Sequence, residues 1–327
     1  MAEAARPTSS PAAPPLEIPI ALRDNFALVI PAFDEAEMVP ALFAEIRTTF
    51  ERYGLNGEVI LVDDGSRDGT YELALREGEG IPRLTVLRHR RNLGKTEAMV
   101  TGAEAASSEY IILFDADLQH SPEEIPRFLA KLAEGWDIVT GRKVGRYQKQ
   151  AVSSTYNWLS QRLFDVPVRD LNSMKAFRRE ILEEIPLRHD WHRFFIVLAH
   201  ARGWTMSEID IELLPRRAGT SKYTGRRRIA VGIGDLVVVW FYLKFSEKPM
   251  QFFGGGGLLL ILAGFLVGGL TVALRVLHWM PPFGYRPLLT FVVLLEVVGF
   301  ILFSFGFIAE LIATLRAEVA ELRRSRG

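Results

Sequence analysis

Two long apolar runs near the carboxyl terminus constrain this chain more than any other feature of its sequence. Residues 252–274 include no charged side chain, and residues 288–309 include only Glu296. At about 1.5 Å of rise per residue, a helix over either run is long enough to cross the roughly 30 Å hydrocarbon core of a bilayer. The connection of residues 275–287 is short, so the two predicted spans form an antiparallel hairpin.

The basic residues around this hairpin indicate its orientation. They are dense before the first run and after the second, whereas the connection carries only Arg275 and Arg286. Because cytoplasmic loops are enriched in Lys and Arg, both termini are predicted on the cytoplasmic side of the inner membrane. Residues 311–327 then form a basic cytoplasmic tail.

The segment before the hairpin, residues 229–250, is apolar but too short and too charged to span a membrane securely. It is predicted to lie in the membrane interface as an amphipathic helix. A buried helix of the preceding domain is the alternative that the sequence leaves open.

The part of the chain before residue 145 alternates between short apolar runs and amphipathic stretches. The runs are residues 26–31, 58–62, 84–87, 110–114 and 137–140. This order predicts an α/β domain over residues 23–228, in which helices cover a parallel sheet. Residues 1–22 are rich in proline and lack the apolar run of a signal peptide, so they are predicted to be disordered.

Acidic motifs follow three of these predicted strands. They are Pro31-Ala-Phe-Asp-Glu35, Asp63-Asp-Gly-Ser-Arg-Asp-Gly69 and Asp115-Ala-Asp-Leu-Gln119. Ligands of open parallel sheets bind beyond the carboxyl ends of the strands, and carboxylates gathered there repel one another unless a cation or hydrogen-bond donor is bound. Taken alone, the second motif is equally compatible with a turn that caps a helix. Together the three motifs predict a site with hard oxygen ligands, which suit Mg²⁺ or Mn²⁺.

Several classes of protein are excluded by missing residues. The chain has no cysteine, so it has no disulfide, thiolate nucleophile, cysteine zinc site or iron–sulfur cluster. It also lacks a Gly-x-x-x-x-Gly-Lys-Ser/Thr loop, a Gly-x-Gly-x-x-Gly turn after the first strand and a His-Glu-x-x-His pair. A P-loop phosphotransferase and a nicotinamide enzyme therefore lose most of their support.

These motifs resemble glycosyltransferase family 2, and within it the polyprenyl-phosphate glycosyltransferases of the dolichol-phosphate mannose synthase type. The resemblance covers about residues 25–223, and the hairpin matches bacterial members that glycosylate undecaprenyl phosphate. It implies a GT-A fold, a nucleotide-sugar donor, a polyprenyl phosphate acceptor and a Mg²⁺ or Mn²⁺ cofactor. It is compatible with a homo-oligomer and implies no nucleic-acid partner.

The resemblance also implies roles for individual residues. Those that would bind the nucleotide are Pro31, Phe33, Glu35, Asp63, Asp64, Gly94, Lys95, Asp115 and Ala116. Those that would hold the metal ion are Asp115, Asp117 and Gln119. Those that would bind the acceptor phosphate are Arg142, Arg216, Ser221 and Lys222, and those implied to be catalytic are Asp117, Arg142 and Asp170.

This chain departs from the family pattern at two places. Asp34 stands where the family usually has Asn, which adds a charge to the nucleotide pocket. The segment that begins at Asp170 resembles the family's acceptor segment but lacks its usual Gly-Phe pair.

The basic run of residues 216–228 suggests how the acceptor is bound. It contains six cations and no carboxylate, a composition that suits an anionic lipid head group. With a second pKa of about 6, a lipid phosphate is already largely ionised near neutral pH. We therefore expect no obligatory general base: Arg142, Arg216 and Lys222 orient the phosphate, and a single displacement inverts the anomeric carbon. Asp170 as a true base is the alternative.

Other functions remain to be weighed against this one. A family 2 enzyme that acts on another lipid or on a polysaccharide is one, and a membrane-anchored nucleotide-binding scaffold without activity is another. A processive polysaccharide synthase would need a Gln-x-x-Arg-Trp segment and more spans, and the sequence has neither. A scaffold would tolerate a damaged metal loop, whereas Asp115, Asp117 and Gln119 are all present. The sequence does not name the sugar or the nucleotide base.

Overall fold

The computed structural model describes residues 17–144, 161–185, 187–215, 226–245, 248–277 and 286–324. The chain divides into two compact units, Met1–Ile229 and Ala230–Gly327. The predicted acceptor residues Arg216, Ser221 and Lys222 lie outside the described residues.

The first unit is built from alternating strands and helices. Its strands are β1 (Phe26–Ala32), β2 (Glu58–Asp63), β3 (Leu84–Arg88), β4 (Tyr110–Leu113), β5 (Ile138–Val144), β6 (Lys175–Arg178) and β7 (Met206–Glu212). Its helices are α1 (Ile20–Asp24), α2 (Val39–Tyr53), α3 (Thr70–Glu77), α4 (Lys95–Ala105), α5 (Ile125–Leu132), α6 (Glu180–Glu184) and α7 (Phe195–Ala201). Single 3₁₀ turns, Pro122–Glu124 and Trp191–Phe194, precede α5 and α7.

All seven strands form one sheet in the order β3-β2-β1-β4-β6-β5-β7. The pairs β3–β2, β2–β1, β1–β4 and β5–β7 are parallel, whereas β6 is antiparallel to both β4 and β5. The five strands predicted from the sequence, β1 to β5, therefore all run in one direction, and the sheet as a whole is mixed because β6 lies antiparallel between β4 and β5. Strands β6 and β7 were not predicted, because β6 has a charged residue at each end and β7 is interrupted by Glu208 and Asp210.

The reversed strand β6 has a consequence for the site. Its first residue, Lys175, pairs with Leu113 at the end of β4 and with Thr140 on β5. Since β6 starts at the edge where the parallel strands end, its first side chain is carried to the edge at which ligands bind in such sheets.

Helices cover both faces of the sheet. On one face, α2 and α5 contribute buried apolar side chains, among them Phe43 and Phe128, to the main core. On the other face α4 approaches closely at Gly102, where an added Cβ would lie 2.4 Å from Val29. On that face too, the ring of Phe195 in α7 lies 4.5 Å from that of Phe177.

The start of the first unit differs from the sequence prediction. Residues 17–22 were expected to be disordered, but Ile18 and Leu22 are buried, and Leu22 lies in α1. Ile18 lies just before this helix, which begins at Ile20. The predicted disordered segment is corrected to this extent, and residues 1–16 lie outside the described part.

The second unit contains three helices: α8 (Arg226–Phe245, which begins in the first unit), α9 (Pro249–Val276) and α10 (Arg286–Arg324). Helices α9 and α10 are long and apolar enough to cross a membrane, and they contain both predicted spans. The predicted interfacial helix is shifted: α8 ends at Phe245, and residues 249–250 belong to α9. Helix α10 continues to Arg324, so residues 311–324 of the predicted tail are helical.

Helices α9 and α10 pack against each other as an antiparallel pair along glycines. A Cβ added to Gly257 would lie 2.6 Å from the backbone oxygen of Gly299. Gly264 leaves room for the carboxylate of Glu296, which a Cβ there would approach to 2.5 Å. Small residues permit such close contact between spans, and the packing gives Glu296 a protein neighbour rather than lipid alone.

Candidate active site

The three acidic motifs follow strands that are neighbours in the sheet. Strands β2, β1 and β4 lie side by side and parallel, so the segments after them emerge at the same edge. The side chains at this edge form two groups: a cavity beyond β1, β2 and β3, and a cluster of charges beyond β4, β5 and β6.

Asp64 holds the loop that leads into α4. Its carboxylate accepts hydrogen bonds from the backbone N–H groups of Leu93 (2.8 Å) and Gly94 (2.7 Å). His89 approaches the same carboxylate at 2.8 Å through Nδ1 and contacts the hydroxyl of Thr101 at 3.0 Å through Nε2. Asp64 is 3% exposed. Its oxygens are engaged by the protein, so it positions the Gly94 loop.

Asp63 is fully buried and holds the turn after β2. One of its oxygens accepts the backbone N–H of Ser66 at 3.1 Å, and the other lies 3.2 Å from Nε of Arg88. Arg88 in turn donates to the backbone oxygen of Ser66 at 3.2 Å. Both aspartates of this motif therefore shape the loops around the cavity.

A cavity of about 560 Å³ opens beyond the ends of β1, β2 and β3. It is lined by Phe33, Asp34, Gly65, Ser66, Arg67, Arg88, His89, Arg90, Arg91 and Asn92. Four of these side chains are arginines, which present planar cationic groups suited to stacking on rings and to binding phosphate oxygens. The cavity is therefore suited to a flat, anionic ligand.

The unusual Asp34 has a structural role in this cavity. Its backbone has φ 49°, a conformation that Asp and Asn adopt more readily than most residues. The carboxylate accepts the backbone N–H of Arg67 at 3.0 Å, while the backbone N–H of Asp34 donates to the Ser66 hydroxyl at 2.8 Å. These bonds join the loops after β1 and β2, and next to them the backbone N–H of Glu35 donates to the Thr70 hydroxyl at 3.0 Å.

The arginines of the cavity were not among the residues predicted from the sequence. Arg88 is the last residue of β3, and Arg90 and Arg91 follow this strand, which ends at the same edge as β1 and β2. The rule that ligand-binding residues follow the strands could have found them. Only the acidic motifs were predicted to bind ligands, and this basic motif was not.

The loop after β4 contains the predicted metal ligands. It turns tightly, with Leu118 at φ 51° and the backbone N–H of Gln119 donating to Asp117 at 3.1 Å. The ammonium group of Lys95 donates to the carboxylate of Asp115. Within the described ranges, no three His, Cys, Asp or Glu side chains converge as a metal site. Mg²⁺ and Mn²⁺ are commonly held by one or two carboxylates together with water and substrate phosphate, and Lys95 shows that a cation is accepted at Asp115. The residues therefore fit such an ion.

Neighbouring charges and burial shift the pKa values of both Asp115 and Lys175. Burial alone would raise the pKa of Asp115, but the adjacent ammonium of Lys95 holds it well below its usual range. Lys175 is 3% exposed, and burial together with repulsion from Lys95 lowers its pKa to about 8, although Asp115 and Asp170 oppose the shift. A buried lysine at this position was not predicted.

Three lysines, Lys95, Lys143 and Lys175, form what we call the lysine cluster. Lys175 donates to the backbone oxygen of Leu171 at 3.1 Å. Lys143 donates to the backbone oxygen of Asn172 at 3.0 Å and lies 3.5 Å from the carboxylate of Asp170. The cluster connects the loop after β4 with the segment that starts at Asp170.

Arg142 lies elsewhere on β5. Its guanidinium group makes two hydrogen bonds, of 2.6 and 2.7 Å, to the carboxylate of Asp210 on β7. In the described part of the chain its ion pair is with Asp210, and it is Lys143, the next residue, that joins the cluster around Asp115 and Asp170. Arg142 and Asp170, both predicted to be catalytic, are thus in different charge groups.

His192 lies close to Lys95 and Lys175 of the lysine cluster. Its Nδ1 is 3.0 Å from the hydroxyl of Thr96, the second residue of α4. Burial, followed by repulsion from Lys95 and Lys175, lowers the pKa of His192 well below its usual value. The side chain is therefore neutral near pH 7, and its contact with Thr96 helps to hold the start of α4.

Of the remaining predicted residues, Pro31 lies near the end of β1 and Ala116 is buried in the loop after β4. Phe33 lines the cavity. Gly94 has φ 102°, which glycine adopts without strain, and immediately precedes α4.

Comparison with known proteins identifies relatives. Residues 27–198 match the model of glycosyl transferase family 2. Undecaprenyl-phosphate 4-deoxy-4-formamido-L-arabinose transferase of Salmonella paratyphi B is 30% identical over 90% of this chain and 89% of its own length. The protein of the same name from Serratia proteamaculans is also 30% identical, over 90% of each chain.

Solved structures show the same fold. Glucosyl-3-phosphoglycerate synthase of Mycobacterium tuberculosis, in complex with Mn²⁺, uridine diphosphate and phosphoglyceric acid, superposes with a TM-score of 0.54 at 17% identity, over 67% of this chain and 78% of that chain. A complex of the same enzyme with Mg²⁺ and uridine diphosphate has a TM-score of 0.53 at 18% identity, over 65% of this chain and 79% of that chain.

Proposed function

The chain belongs to glycosyl transferase family 2, and on this basis we propose that it transfers a sugar from a nucleotide-sugar donor to the phosphate of undecaprenyl phosphate. The observation that carries the proposal is the 30% identity to undecaprenyl-phosphate sugar transferases over 90% of the chain, which takes in both the sheet domain and helices of the hairpin. A soluble acceptor would not require two helices able to span a membrane.

The nucleotide of the donor would occupy the cavity beyond β1, β2 and β3. Phe33 and the arginines offer surfaces for the base and charges for the diphosphate. Asp63, Asp64 and Asp34 support the loops of this cavity through the hydrogen bonds described above. The Gly94 loop leads directly to Lys95, so the loop and the lysine cluster are positioned together.

Asp115 and Asp117, with Gln119 beside them, are the residues that would hold Mg²⁺ or Mn²⁺. When bound, the ion would neutralise charge on the diphosphate as it leaves. Lys95 and Lys175 supply further positive charge close to Asp115, which favours an anionic leaving group at this place.

The acceptor phosphate is already ionised near pH 7, so it requires positioning rather than deprotonation. One phosphate oxygen attacks the anomeric carbon and forms the new carbon–oxygen bond. The bond from that carbon to the diphosphate oxygen breaks, and its electron pair leaves with the nucleoside diphosphate. This single displacement inverts the anomeric configuration and needs no proton transfer.

Asp170 is placed to hold the ammonium group of Lys143 rather than to accept a proton. It is 4% exposed and lies 3.5 Å from Lys143, while its backbone N–H donates to Glu208 at 3.1 Å. Arg142 would act at the edge of the site through its pair with Asp210, and Arg216, Ser221 and Lys222 would complete the acceptor site.

The membrane arrangement follows from the same proposal. Helices α9 and α10 would cross the inner membrane with both termini cytoplasmic, and α8 would lie in the interface. Positive charge before and after the hairpin supports this orientation. The lipid phosphate is then presented at the cytoplasmic surface, where nucleotide sugars are available.

The experiment uses the full chain in detergent with undecaprenyl phosphate, Mg²⁺ or Mn²⁺, and a panel of uridine and guanosine diphosphate sugars. We expect one donor to release its nucleoside diphosphate only when the lipid is present, with the sugar recovered on the lipid. Release with a different lipid or a polysaccharide would identify another acceptor. Nucleotide binding without sugar transfer to any acceptor would identify a scaffold instead.

A further inference from the structure

Residues 169–173, which we call the Asp170 loop, belong to no helix or strand but include buried residues. Asp170, Leu171 and Ser173 are 4%, 1% and 7% exposed. Buried backbone N–H and C=O groups require hydrogen-bond partners, and a loop cannot obtain them from the regular bonding of a helix or a sheet. This loop obtains them from its own aspartate and from charged side chains of three strands that are neighbours in the sheet, β6, β5 and β7.

Two lysines hold carbonyl groups of the loop. Lys175, on β6, donates to the backbone oxygen of Leu171 at 3.1 Å, and Lys143, on β5, donates to that of Asn172 at 3.0 Å. One oxygen of the Asp170 carboxylate accepts the backbone N–H of Asn172 at 3.0 Å, and the other lies 3.5 Å from Lys143. The direction of the Asp170 side chain therefore depends on how the loop is held.

Glu208, on β7, holds the N–H groups at the start of the loop. One of its carboxylate oxygens accepts hydrogen bonds from the backbone N–H groups of Arg169 and Asp170, the latter at 3.1 Å. Glu208 pairs with Thr140 of β5, so its own backbone is fixed by the sheet. Hydrogen bonds from backbone N–H groups to a carboxylate are stronger than those to a neutral acceptor. Glu208 was not predicted to be a site residue, because 38 residues separate it from Asp170 in the chain.

Glu208 also lies between the two charge groups of the site. Its carboxylate is close enough to Arg142 to interact with its charge. Through the Asp170 loop it acts on Lys143, which is close enough to Asp115 to interact with that charge. The nucleotide cavity, by contrast, lies beyond β1, β2 and β3, and β3 and β7 are at opposite ends of the strand order. A change at Glu208 is therefore expected to affect the lysine cluster rather than the cavity.

We propose that Glu208 is a positioning residue for sugar transfer, which holds the Asp170 loop through two backbone hydrogen bonds and so fixes the carboxylate that holds Lys143. This inference rests on the proposed function and concerns the step after nucleotide binding. The role belongs to the hydrogen bonds that the side chain accepts, and it requires the length of that side chain. A neutral side chain of equal length that accepts the same bonds should serve in its place.

Two variants separate these hydrogen bonds from the charge. Glu208→Gln keeps the length of the side chain and an oxygen that accepts N–H bonds, so we expect its kcat to stay within about threefold of the wild-type value. Glu208→Asp keeps the charge but is one methylene group shorter, so its oxygens no longer reach the loop. We expect its kcat to fall by about 10–100-fold. Glu212→Asp is the matched control, because Glu212 is an exposed carboxylate on the same strand.

Nucleotide binding distinguishes a positioning role from a general loss of structure. Uridine diphosphate and, separately, guanosine diphosphate are titrated with Mn²⁺ into each full-length variant in detergent. For the nucleotide that the wild-type chain binds, the dissociation constant should change by less than about threefold in Glu208→Asp, so the loss lies in kcat. The proposal would be overturned by equal losses of kcat in the Gln and Asp variants, by a larger loss in the Gln variant, or by a nucleotide affinity that falls in step with kcat.

Amide hydrogen exchange measures the same hydrogen bonds without relying on activity. In peptides that cover the Asp170 loop, we expect exchange to be at least about tenfold faster in Glu208→Asp and unchanged in Glu208→Gln. Unchanged exchange in Glu208→Asp would contradict the holding role. A wild-type chain that transfers no sugar to lipid contradicts the proposed function itself, whereas transfer by the wild-type chain with no loss in Glu208→Asp contradicts only the role of Glu208.

Discussion

The backbone N–H of Gly94 donates a hydrogen bond of 2.7 Å to the buried carboxylate of Asp64. Both residues were implied to bind the nucleotide, and the structure shows that one supports the other. With the bond from Leu93, the carboxylate fixes the loop whose next residue is Lys95. The geometry of the lysine cluster therefore depends on a residue buried beneath the loop.

Replacing Asp64 with Ala is expected to release this loop. The partly buried N–H groups of Leu93 and Gly94 would lose their acceptor, which lowers the free energy of unfolding by roughly 1–3 kcal/mol. The donor KM should rise about tenfold, since binding would have to order the loop. Thermal unfolding and donor titrations of the full chain in detergent measure both effects. The control is Glu104→Gln, which alters an exposed carboxylate of α4; an equal loss there would refute the assignment.

Replacing Asp117 with Asn removes one of the two carboxylates proposed to hold the metal ion. We expect turnover to fall by at least about 100-fold, because stabilisation of the leaving diphosphate is lost. Binding of Mn²⁺, followed by electron paramagnetic resonance without any substrate, should weaken in parallel. If Asp117→Asn binds Mn²⁺ as tightly as the wild-type chain does, Asp117 is not a ligand.

The positive charge of Lys175 is expected to contribute to the use of the donor. Lys175→Met should lower kcat/KM for the donor by about 10–100-fold, equivalent to roughly 1.4–2.8 kcal/mol. Lys175→Arg retains the positive charge and should recover part of that loss. Lys131→Met serves as the control, since Lys131 lies on α5 and its ammonium group pairs with Glu134. Equal activity of the Met and Arg variants would mean that charge at this position is unimportant.

His192 should make the folded chain sensitive to acid. Its pKa is lowered in the folded state, so below about pH 6.5 the unfolded state binds the proton first and stability falls as the pH falls. For one proton the slope approaches 1.4 kcal/mol per pH unit. His192→Asn should show a shallower loss in melts between pH 7 and pH 5.

His189 should make stability depend on pH in the opposite direction, because its pKa is raised in the folded state. Its hydrogen bond and charge interaction with Glu97 raise its pKa, so its small contribution to stability is present below pH 6.5 and is lost as the pH rises. The side chain is 65% exposed, which weakens the effect. His189→Asn should therefore lose stability mainly at acid pH. If the two variants changed the pH dependence in the same direction, the assigned shifts would be wrong.

Gly257 and Gly256 are adjacent in α9 but face different surroundings. A side chain at Gly257 meets the backbone of α10, whereas one at Gly256 has nothing within 4 Å. Gly257→Val is expected to lower the free energy of unfolding of the hairpin by about 1–3 kcal/mol through overpacking. Gly256→Val should change it little. Denaturation in mixed detergent micelles, followed by circular dichroism, distinguishes the two, and similar losses would argue against the observed packing.

Much of this architecture could be predicted because it depends on local patterns. The apolar runs 252–274 and 288–309 predict spanning helices by their length alone, and α9 and α10 contain them. The apolar runs of β1 to β5, with amphipathic stretches between them, predict an α/β domain. The acidic motifs after β1, β2 and β4 then predict which edge of the sheet carries the chemistry, since parallel strands end together.

What the sequence could not supply were relations between residues far apart in the chain. Strand β6 is charged at both ends, and only its pairing with β4 and β5 makes it a strand and carries Lys175 into the site. In the same way Arg142 appears as a free cation until Asp210, 68 residues later, is seen to pair with it. The sequence by itself determined the hairpin, the α/β order and the acidic edge, because each follows from short-range periodicity. Tertiary structure alone decided which charges meet, because ion pairs form between side chains that the folded sheet brings together.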